Sequence, residues 1–478
     1  MKYEVVMGLE VHVELATESK LFCSCSTKFG AGANENVCPA CSGMPGMPAV
    51  INKRAIELGI AAALLTNSEI AQVMTFDKKN YYYPDLPAGY QITQWFAPIC
   101  TNGWIEIGGD KRITLKQIHI EEDAGKLVHD PHTHSTLVDF NRTSVPLAEI
   151  VSNPDFRSAD EVVAYLSKLR SLLSFAGVSD CKMQEGSMRC DINISVRETG
   201  SAALGIRTEI KNMNSFKAIT KAIEYESKRH IDALETGCET LVQETRGWND
   251  DCGETFSMRE KEEAADYRYF PNPEIMPIHI DKKWIDQVRA SLPEPAHEIY
   301  ERMTLQLGLP EYDSKLITSS RNLSRIFEDT LAYFNKPKEV SNWIIGDLLS
   351  TAKTSGISDD DITLDSAKFA KMIELVDNKT INRAIGKKLL VKVIEEDIDP
   401  EAYVKQHGLG MIDDADLLET VIREVLADNK KSVEDYRGGK QKAFGFLVGQ
   451  VMRKMGGKAD PSSVNEMLIK ELGVKYEQ

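Results

Sequence analysis

The chain has 478 residues, of which 42% are hydrophobic and 27% are charged, as is typical of a globular protein. Its longest apolar run, near Ile60 to Leu65, is far shorter than the roughly 20 residues of a membrane-spanning helix, and the N-terminus has no apolar signal core. We therefore expect a cytoplasmic protein without a membrane partner. The net charge of −16 by itself disfavours nucleic-acid binding, because phosphate contacts require Lys and Arg.

The N-terminal part of the chain combines strand and helix patterns. Alternating apolar and polar residues predict strands at Leu9–Leu15, Arg189–Arg197 and Ile206–Lys211. Apolar residues at helical spacing predict helices at Ala159–Ala176 and Lys217–Glu235. Because strands and helices do not alternate regularly, we predict an α+β fold with an antiparallel sheet. One face of this sheet is polar and is expected to face solvent or a ligand.

The chain changes character at Pro293-Glu294-Pro295, after which only helix patterns follow. Asp365 is placed to cap one helix, and apolar residues between Phe444 and Met455 share one face of another. Asp460-Pro461 has the form of an N-cap followed by a first-turn proline. A glycine-containing gap near Gly408 separates the helical region into two parts. The predicted domains are residues 1–294, 295–407 and 408–478.

Four of the nine cysteines lie in one short segment near the N-terminus. They form a C-x-C pair and a C-x₂-C pair, and this spacing lets four thiolates surround one tetrahedral Zn²⁺. Such a site has no open coordination position, so its role should be structural. A disulfide framework fits less well, because the total is odd and the other five cysteines show no paired spacing. The predicted zinc ligands are Cys23, Cys25, Cys38 and Cys41.

Carboxylate and imidazole side chains recur at strand-like positions. Glu10 and His12 lie two residues apart on the polar face of the first predicted strand, Glu121-Glu122-Asp123 ends another strand-like stretch, and Glu149 follows a third. Mg²⁺ prefers carboxylate oxygens and bridges them to substrate phosphates. From the residues alone, exposed carboxylates on a strand face are the simpler interpretation, and a metal site is the alternative.

Two further segments carry clustered lysines. The segment Lys78-Lys79-Asn80-Tyr81-Tyr82-Tyr83 could contact phosphate or stack a base, or its tyrosines could pack within a strand. Between Lys430 and Lys458 there are eight basic residues and two acidic ones. This stretch could bind a polyanion, or it could be a solvent-exposed face of a helix. The sequence has no Walker loop, no glycine-rich dinucleotide turn and no G-x-S-x-G elbow. Any nucleotide must therefore be held in another way.

Several longer motifs resemble one known family. They are Gly8–Glu14, Cys23–Cys41 with Pro45–Pro48, Asn80–Pro84, Ile118–Lys126, Ser187–Asn193, Glu209–Phe216, Asp266–Pro271 and Gly445–Gln450. In this order, and over nearly the whole chain, they resemble the GatB/GatE family, whose GatB members belong to the aspartyl/glutamyl-tRNA amidotransferases. The chain is too short to hold the large inserted domain of GatE members. Some family members lack the cysteines, so zinc is not essential to the family's chemistry, but here all four are present.

The resemblance implies a fold and an activity. Residues 1–294 are expected to form a cradle domain similar to the catalytic fold of glutamine synthetase, followed by an all-α helical domain and an all-α YqeY-like tail that binds tRNA. The implied activity uses ATP to phosphorylate the side-chain carboxylate of Glu-tRNA(Gln), Asp-tRNA(Asn) or both, after which ammonia displaces the phosphate. The implied partners are the misacylated tRNA, the amidase subunit GatA, which supplies ammonia through a channel, and GatC.

The resemblance also implies roles for individual residues. The implied Mg²⁺ ligands are Glu10, His12, Glu122 and Glu149. The choice between Glu121 and Glu122 stays open, because strand alternation places Glu121 with His119 but a turn at Asp123 could break that alternation. The further catalytic candidates are Asp191 and Glu209, which lie within matching motifs, and Lys79, which directly precedes the motif Asn80–Pro84. The candidates for contacts with ATP are Lys79, Tyr81 and Arg189.

The residues themselves support a phosphoryl-transfer activity. Phosphoryl transfer requires positioned metal and cationic charge more than a covalent nucleophile, and a strand face with Glu and His suits that requirement. Two other functions are kept as alternatives: a tRNA-binding scaffold without activity, and a stand-alone carboxylate–amine ligase that acts on a small molecule. The Glu and His residues argue against the scaffold, and the basic C-terminal stretch argues against the small-molecule ligase.

Overall fold

The computed structural model describes residues 2–130, 132–260, 264–410, 415–456 and 459–473. The chain divides into two compact units, Met1–Pro295 and Ala296–Gln478. The predicted boundary after residue 294 lies one residue from this division. The predicted division of the second unit at residue 408 stays a prediction.

The first unit contains the strands. In chain order they are β1 (Tyr3–Glu14), β2 (Glu69–Ile70), β3 (Val73–Met74), β4 (Asp77–Asn80), β5 (Tyr90–Thr93), β6 (Cys100–Glu106), β7 (Arg112–Glu122), β8 (Lys126–Asp130), β9 (Ser135–Asp139), β10 (Pro146–Ser152), β11 (Met188–Glu198), β12 (Thr208–Lys211), β13 (Glu244–Asn249), β14 (Glu254–Glu260), β15 (Phe270–Pro271) and β16 (Ile278–His279). The helices of this unit are α1 (Lys53–Leu65), α2 (Ala159–Phe175), α3 (Phe216–Thr236) and α4 (Lys282–Ser291), with a 3₁₀ turn at Ala264–Tyr267.

Nine strands form the main sheet, in the order β14-β13-β12-β11-β1-β10-β7-β6-β2. Strand β1 lies at its centre and pairs antiparallel with β10 on one side and β11 on the other. Within the described residues, β12 and β13 are the one parallel pair of this sheet. The predicted α+β class is confirmed, and the predicted antiparallel sheet holds apart from that pair. Its likeness to glutamine synthetase stays a prediction.

The two faces of the main sheet differ in polarity because side chains alternate along each strand. In β1, Leu9, Val11 and Val13 are buried in a hydrophobic core that also includes residues of α1, α2 and α3. Strand β11 contributes Ile192 and Ile194 to the same core. The intervening residues of both strands lie on the opposite face, which is polar. The helices cover the apolar face and thereby leave the polar face open.

Local sequence signals explain where the helices of this unit begin and end. Ser158 caps α2 by accepting a hydrogen bond from the backbone N–H of Glu161, and Ser215 caps α3 in the same way through Ala218. Gly237 ends α3 with φ 64°, a left-handed conformation that glycine adopts without steric cost. The predicted helices near these positions are confirmed to within a residue or two.

The second unit is helical, as predicted. Its helices are α5 (Ala296–Glu301), α6 (Glu311–Ile317), α7 (Arg321–Tyr333), α8 (Pro337–Trp343), α9 (Leu349–Thr354), α10 (Ser366–Asp377), α11 (Arg383–Glu396), α12 (Pro400–Gln406), α13 (Ala415–Asp428), α14 (Lys430–Arg437), α15 (Gln441–Lys454) and α16 (Pro461–Leu472). Short π-helical segments lie at Arg302–Gln306 and Ile344–Leu348, and a 3₁₀ turn lies at Asp359–Asp361. Asp365 and Asp460 cap α10 and α16, which confirms both predicted caps.

The last four helices share a hydrophobic core. Its members include Leu418 and Ile422 of α13, Leu447 and Val451 of α15, and Leu468 of α16. The predicted basic stretch covers α14 and α15, and its last member, Lys458, lies outside the described residues. In the part of the chain that the structure describes, we find no helix with the length and apolar character needed to cross a lipid bilayer.

Candidate functional site

An open cavity of about 750 Å³ lies over the polar face of the main sheet. Its wall is built from β1, β7, β10, β11, β12 and β13, together with β4, β5 and the segment before β15. The charged and imidazole side chains that line it are Glu10, His12, Lys79, Lys116, His119, Glu121, Glu149, Asp191, Arg207, Glu209 and Lys211. Six of the seven predicted catalytic residues are therefore brought together, although they come from five strands.

Strand register explains why three ligands meet at the centre of the cavity. His12 of β1 lies directly opposite Glu149 of β10, and Glu149 lies opposite His119 of β7. Glu121 follows two residues later on β7 and therefore points to the same face. One ligand atom each from His12, Glu121 and Glu149 lies within 4.8 Å of the others, so the three are close enough to share one metal ion. The two carboxylates suit a divalent cation of the Mg²⁺ or Mn²⁺ kind, whereas the imidazole is a ligand more typical of Zn²⁺ or Fe²⁺.

The electrostatics of this group favour bound positive charge. Nε2 of His119 lies 3.0 Å from Oε2 of Glu149, and Nε2 of His12 lies 3.5 Å from the same oxygen. Burial opposes a charged imidazole, but the Glu149 charge and the hydrogen bonds to Glu121 and Glu149 outweigh it and raise the pKa of His119 to about 10. Burial likewise opposes ionised Glu149, yet the two imidazoles hold its pKa well below the usual range. The cluster thus favours positive charge, which a proton on His119 supplies when no metal ion is bound.

The structure places Glu121, and not Glu122, in the clustered group that lines the cavity, and metal binding by either residue stays a prediction. Strand β7 continues through Glu122, so the alternation is not broken and Glu122 lies on the same face as Ile120. Its Oε1 accepts a hydrogen bond from the backbone N–H of Ile92 at 2.9 Å, away from the cavity. Burial raises the pKa of Glu122 to about 7. Glu121 instead accepts a hydrogen bond from the Thr93 hydroxyl at 2.9 Å and contacts His119 at 3.4 Å.

The other predicted acidic residues form a second group beside the first. Asp191 lies opposite Glu10 in the sheet, and Glu209 lies two residues from Lys211 on β12. The Lys211 ammonium contacts Asp191 and lies 3.4 Å from Oε1 of Glu209. Burial disfavours its charge, but Asp191 and Glu209 outweigh this and raise the pKa of Lys211. Glu10 accepts a hydrogen bond from Asn193 at 2.9 Å; it lines the same cavity but is not among the three clustered ligands.

The four clustered cysteines form a separate candidate metal site. Their Sγ atoms all lie within 4.8 Å of one another, and those of Cys38 and Cys41 are 3.9 Å apart. Tetrahedral Zn²⁺ with Zn–S bonds of about 2.3 Å places sulfurs about 3.8 Å apart, so the donor set fits this ion. A hydrogen bond with Cys23, the Cys38 backbone N–H and the nearby Lys20 charge together lower the pKa of Cys41 to about 4.

Comparison with known proteins identifies the family. The family model of the GatB/GatE catalytic domain matches residues 5–286, and the family model of the GatB domain matches residues 325–472. The chain is 52% identical over 469 residues to the B subunit of the aspartyl/glutamyl-tRNA(Asn/Gln) amidotransferase from Lachnoclostridium phytofermentans, with 98% of each chain covered. The chain belongs to the GatB/GatE family. It is also 51% identical over 478 residues to the protein of the same name from Caldicellulosiruptor saccharolyticus, with 99% of each chain covered. The resemblance drawn from the motifs is confirmed.

Of the three residues that we predict to contact ATP in this GatB/GatE member, only Lys79 lines the cavity in the described part of the chain. Lys79 lines the cavity, and its Nζ lies 4.7 Å from the ring centroid of Tyr267 and 5.5 Å from that of Tyr81. Tyr81 packs edge-on against Tyr267 at 5.8 Å and does not itself line the cavity. Arg189 also lies outside the lining, where its guanidinium pairs with Asp123 at 2.8 Å. Neither Tyr81 nor Arg189 is therefore among the residues that line the cavity.

Sequence reasoning missed several residues that line the cavity. They include Lys116, His119, Arg207, Lys211, Thr245, Tyr267 and Tyr269. His119 lies two residues from Glu121 on β7, and Lys211 lies two residues from Glu209 on β12. Strand alternation therefore places His119 and Lys211 on the same face as these candidate residues, and the sequence could have indicated both. Thr245 had no such signal: it meets Glu209 only through the pairing of β12 with β13, and its hydroxyl donates to Glu209 at 2.7 Å.

Proposed function

We propose that this chain serves in an aspartyl/glutamyl-tRNA amidotransferase as its GatB component and carries the ATP-dependent kinase site. The substrate is Glu-tRNA(Gln), Asp-tRNA(Asn) or both, and the γ-phosphoryl group of ATP is transferred to the side-chain carboxylate of the attached amino acid. The proposal is supported above all by one juxtaposition. The three clustered metal ligands share their cavity with four cationic side chains, namely Lys79, Lys116, Arg207 and Lys211.

The need for phosphorylation follows from the chemistry of the substrate. A carboxylate does not react usefully with ammonia at neutral pH, because it lacks a good leaving group. Phosphorylation converts one carboxylate oxygen into a leaving group, and ammonia can then displace phosphate to form the amide. Phosphoryl transfer depends on positioning and charge stabilisation rather than on a protein nucleophile.

We propose that different residues of the cavity bind the metal ion and the phosphate groups. His12, Glu121 and Glu149 would hold Mg²⁺, which when bound neutralises charge on the transferred phosphoryl oxygens. Lys79 is held in place by its contacts with the Tyr81 and Tyr267 rings and is available to bind a phosphate oxygen. Because all three metal ligands lie on paired strands of one sheet, their spacing is fixed before substrate binds.

We propose that a second subunit supplies the ammonia and that the tRNA is bound largely by helices outside the first unit. We propose that the amidase subunit GatA releases ammonia, that GatC joins the two subunits, and that the complex acts in the cytoplasm. The C-terminal helices α14 and α15 carry the basic stretch and are proposed to contact tRNA phosphates. The four-cysteine site is proposed to hold Zn²⁺ in a structural role, since all four donors belong to the protein.

ATP consumption by the purified chain tests this function against its two alternatives. We expect ADP formation that requires misacylated tRNA, with trapping of the acyl phosphate when the amidase partner is absent. A scaffold would form no ADP under any condition, and a small-molecule ligase would form ADP without tRNA.

Two variants connect that activity to the cavity. His12→Ala or Glu149→Ala should abolish acyl-phosphate formation, at a cost of several kcal/mol in the transition state, while leaving tRNA affinity nearly intact. The matched control is Glu57→Ala, an intermediate-burial glutamate on α1 outside the cavity. Near-normal acyl-phosphate formation in either site variant would show that the ligands are assigned incorrectly.

A further inference from the structure

Lys20 is a fully buried lysine beside the four-cysteine site. It lies between β1 and α1, and 0% of its surface is exposed. Its ammonium donates to the carbonyl oxygen of Phe140 at 3.2 Å and contacts Sγ of Cys41 at 3.5 Å. Among the described residues, we find no Asp or Glu that forms an ion pair with it. Because a buried ammonium without an opposing charge is strongly destabilising, the sulfur of Cys41 is the contacting group that can supply such a charge.

A metal bound by four cysteines supplies that opposing charge. Four thiolates around one divalent cation carry two negative charges in excess, and this charge must itself be compensated where it is buried. Cys41 is the most buried of the four ligands, with 6% of its surface exposed, and it is the one that Lys20 contacts. Hydrogen bonds from a charged donor to a charged acceptor are about twice as strong as those between neutral groups.

Lys20 also joins the cysteine segment to the chain that follows β9. Phe140, its second contact, comes directly after that strand. The cysteine segment holds the same stretch a second time, because the backbone N–H of Asn34 donates to Asp139 at 3.0 Å. A third bond runs from the backbone N–H of Asn36 to the side chain of Asn141 at 2.8 Å. The metal site and the end of β9 are thus fastened together at several points.

That stretch leads back to the strand that carries Glu121. The guanidinium of Arg142 donates to the carbonyl oxygens of Ala124 and Gly125, each at 2.9 Å, just beyond the end of β7. The backbone N–H of Ser144 donates to the carbonyl oxygen of Asp123 at 2.9 Å. Hydrogen bonds between neighbouring residues therefore connect the cysteine segment with the end of β7.

We propose that Lys20 is a positioning residue of the four-cysteine metal site: its ammonium offsets the negative charge of the metal–thiolate group and fastens that group to the segment after β9. This proposal depends on zinc binding by the cysteines but not on the proposed kinase activity. It predicts that loss of the Lys20 charge disturbs the zinc-loaded chain more than the metal-free chain, because four thiolates around Zn²⁺ place more negative charge beside the ammonium than the free cysteines do.

Zinc transfer to a chromogenic chelator tests the proposal on the full-length, zinc-loaded chain. Lys20→Gln removes the charge but keeps a donor for the Phe140 carbonyl, and Lys20→Met removes both. We expect each variant to bind zinc roughly 10- to 100-fold more weakly, as is usual when a group that supports metal ligands is lost. Lys28→Met is the matched control, because Lys28 belongs to the same segment and is exposed.

Hydrogen exchange adds a readout that a change in affinity alone would not give. In zinc-loaded Lys20→Gln, amides of residues 138–144 should exchange faster than in the parent chain, and the metal-free forms of the two proteins should differ less than the zinc-loaded forms do. The proposal is overturned if Lys20→Gln retains zinc as well as Lys28→Met does, or if the two metal-free forms differ as much as the zinc-loaded ones. It is also overturned if the parent chain binds no zinc. If Lys20→Met fails to fold, Lys20→Gln alone decides.

Discussion

Replacing Glu226 with Gln should destabilise the first unit by about 3 kcal/mol at neutral pH. Glu226 lies on α3 with 0% of its surface exposed, beneath the strand pair that carries Glu209 and Thr245. Arg229 contacts its carboxylate at 2.8 Å and Arg246 contacts it at 3.2 Å. Removal of one partner from such a buried network leaves the guanidinium groups without full compensation, which costs about 3–5 kcal/mol.

The pKa of Glu226 gives a similar magnitude. Burial raises it, but hydrogen bonds with His230, Arg229 and Thr255 outweigh burial and lower the pKa from 4.5 to about 2. At about 1.4 kcal/mol per pKa unit, this shift corresponds to about 3 kcal/mol. Because the folded-state pKa is the lower one, the stabilisation is present above about pH 4.5 and is lost as the pH falls toward 2. About half should remain near pH 3.

Urea unfolding between about pH 3 and pH 7 measures this effect, and hydrogen exchange at α3 amides assigns it to the first unit. The control is Glu224→Gln, which changes an exposed glutamate on the same helix. We expect the difference between Glu226→Gln and the parent chain to shrink as the pH falls. Equal stability of the two variants, or a difference that does not depend on pH, would refute the reasoning.

Three further predictions concern the two metal sites and the tail. Glu121→Gln should reduce acyl-phosphate formation at least 100-fold, since it removes a metal ligand, whereas Glu122→Gln should retain most activity; equal loss in a rapid-quench assay would contradict the assignment. Elemental analysis of protein purified without added metal should find about one zinc per chain, and a folded chain with four free thiols and no metal would end the zinc prediction. Truncation before Gly408 should leave the first unit folded but weaken tRNA binding and make its salt dependence shallower, because the basic stretch is lost. Filter binding across salt concentrations measures this, and an unchanged slope would place tRNA recognition elsewhere.

Sequence similarity supports the family of this chain, and the geometry of the cavity supports the proposed roles of its residues. Identity of about half over nearly the whole chain establishes the family. The proposed roles of individual residues rest instead on the cavity, which is lined both by the three clustered side chains and by Lys211. The activities of the site variants proposed above therefore test the roles of these residues, and family membership does not depend on the result.

The sequence by itself determined those features that depend on neighbours along the chain. Alternation placed Glu10 and His12 on one face of β1, capping residues located α10 and α16, and the spacing of the cysteines predicted four converging thiols. Each of these patterns spans a few residues, so local geometry alone fixes it.

Only the tertiary structure decided which distant residues meet. The choice of Glu121 required knowing that β7 continues regularly through residue 122, and the contact of Lys211 with Asp191 required the pairing of β11 with β12. Burial of Lys20 against Cys41 likewise depends on how the loop after β1 folds back over the segment after β9. Strand pairing and burial depend on packing between residues far apart in the chain, and no local spacing encodes that packing.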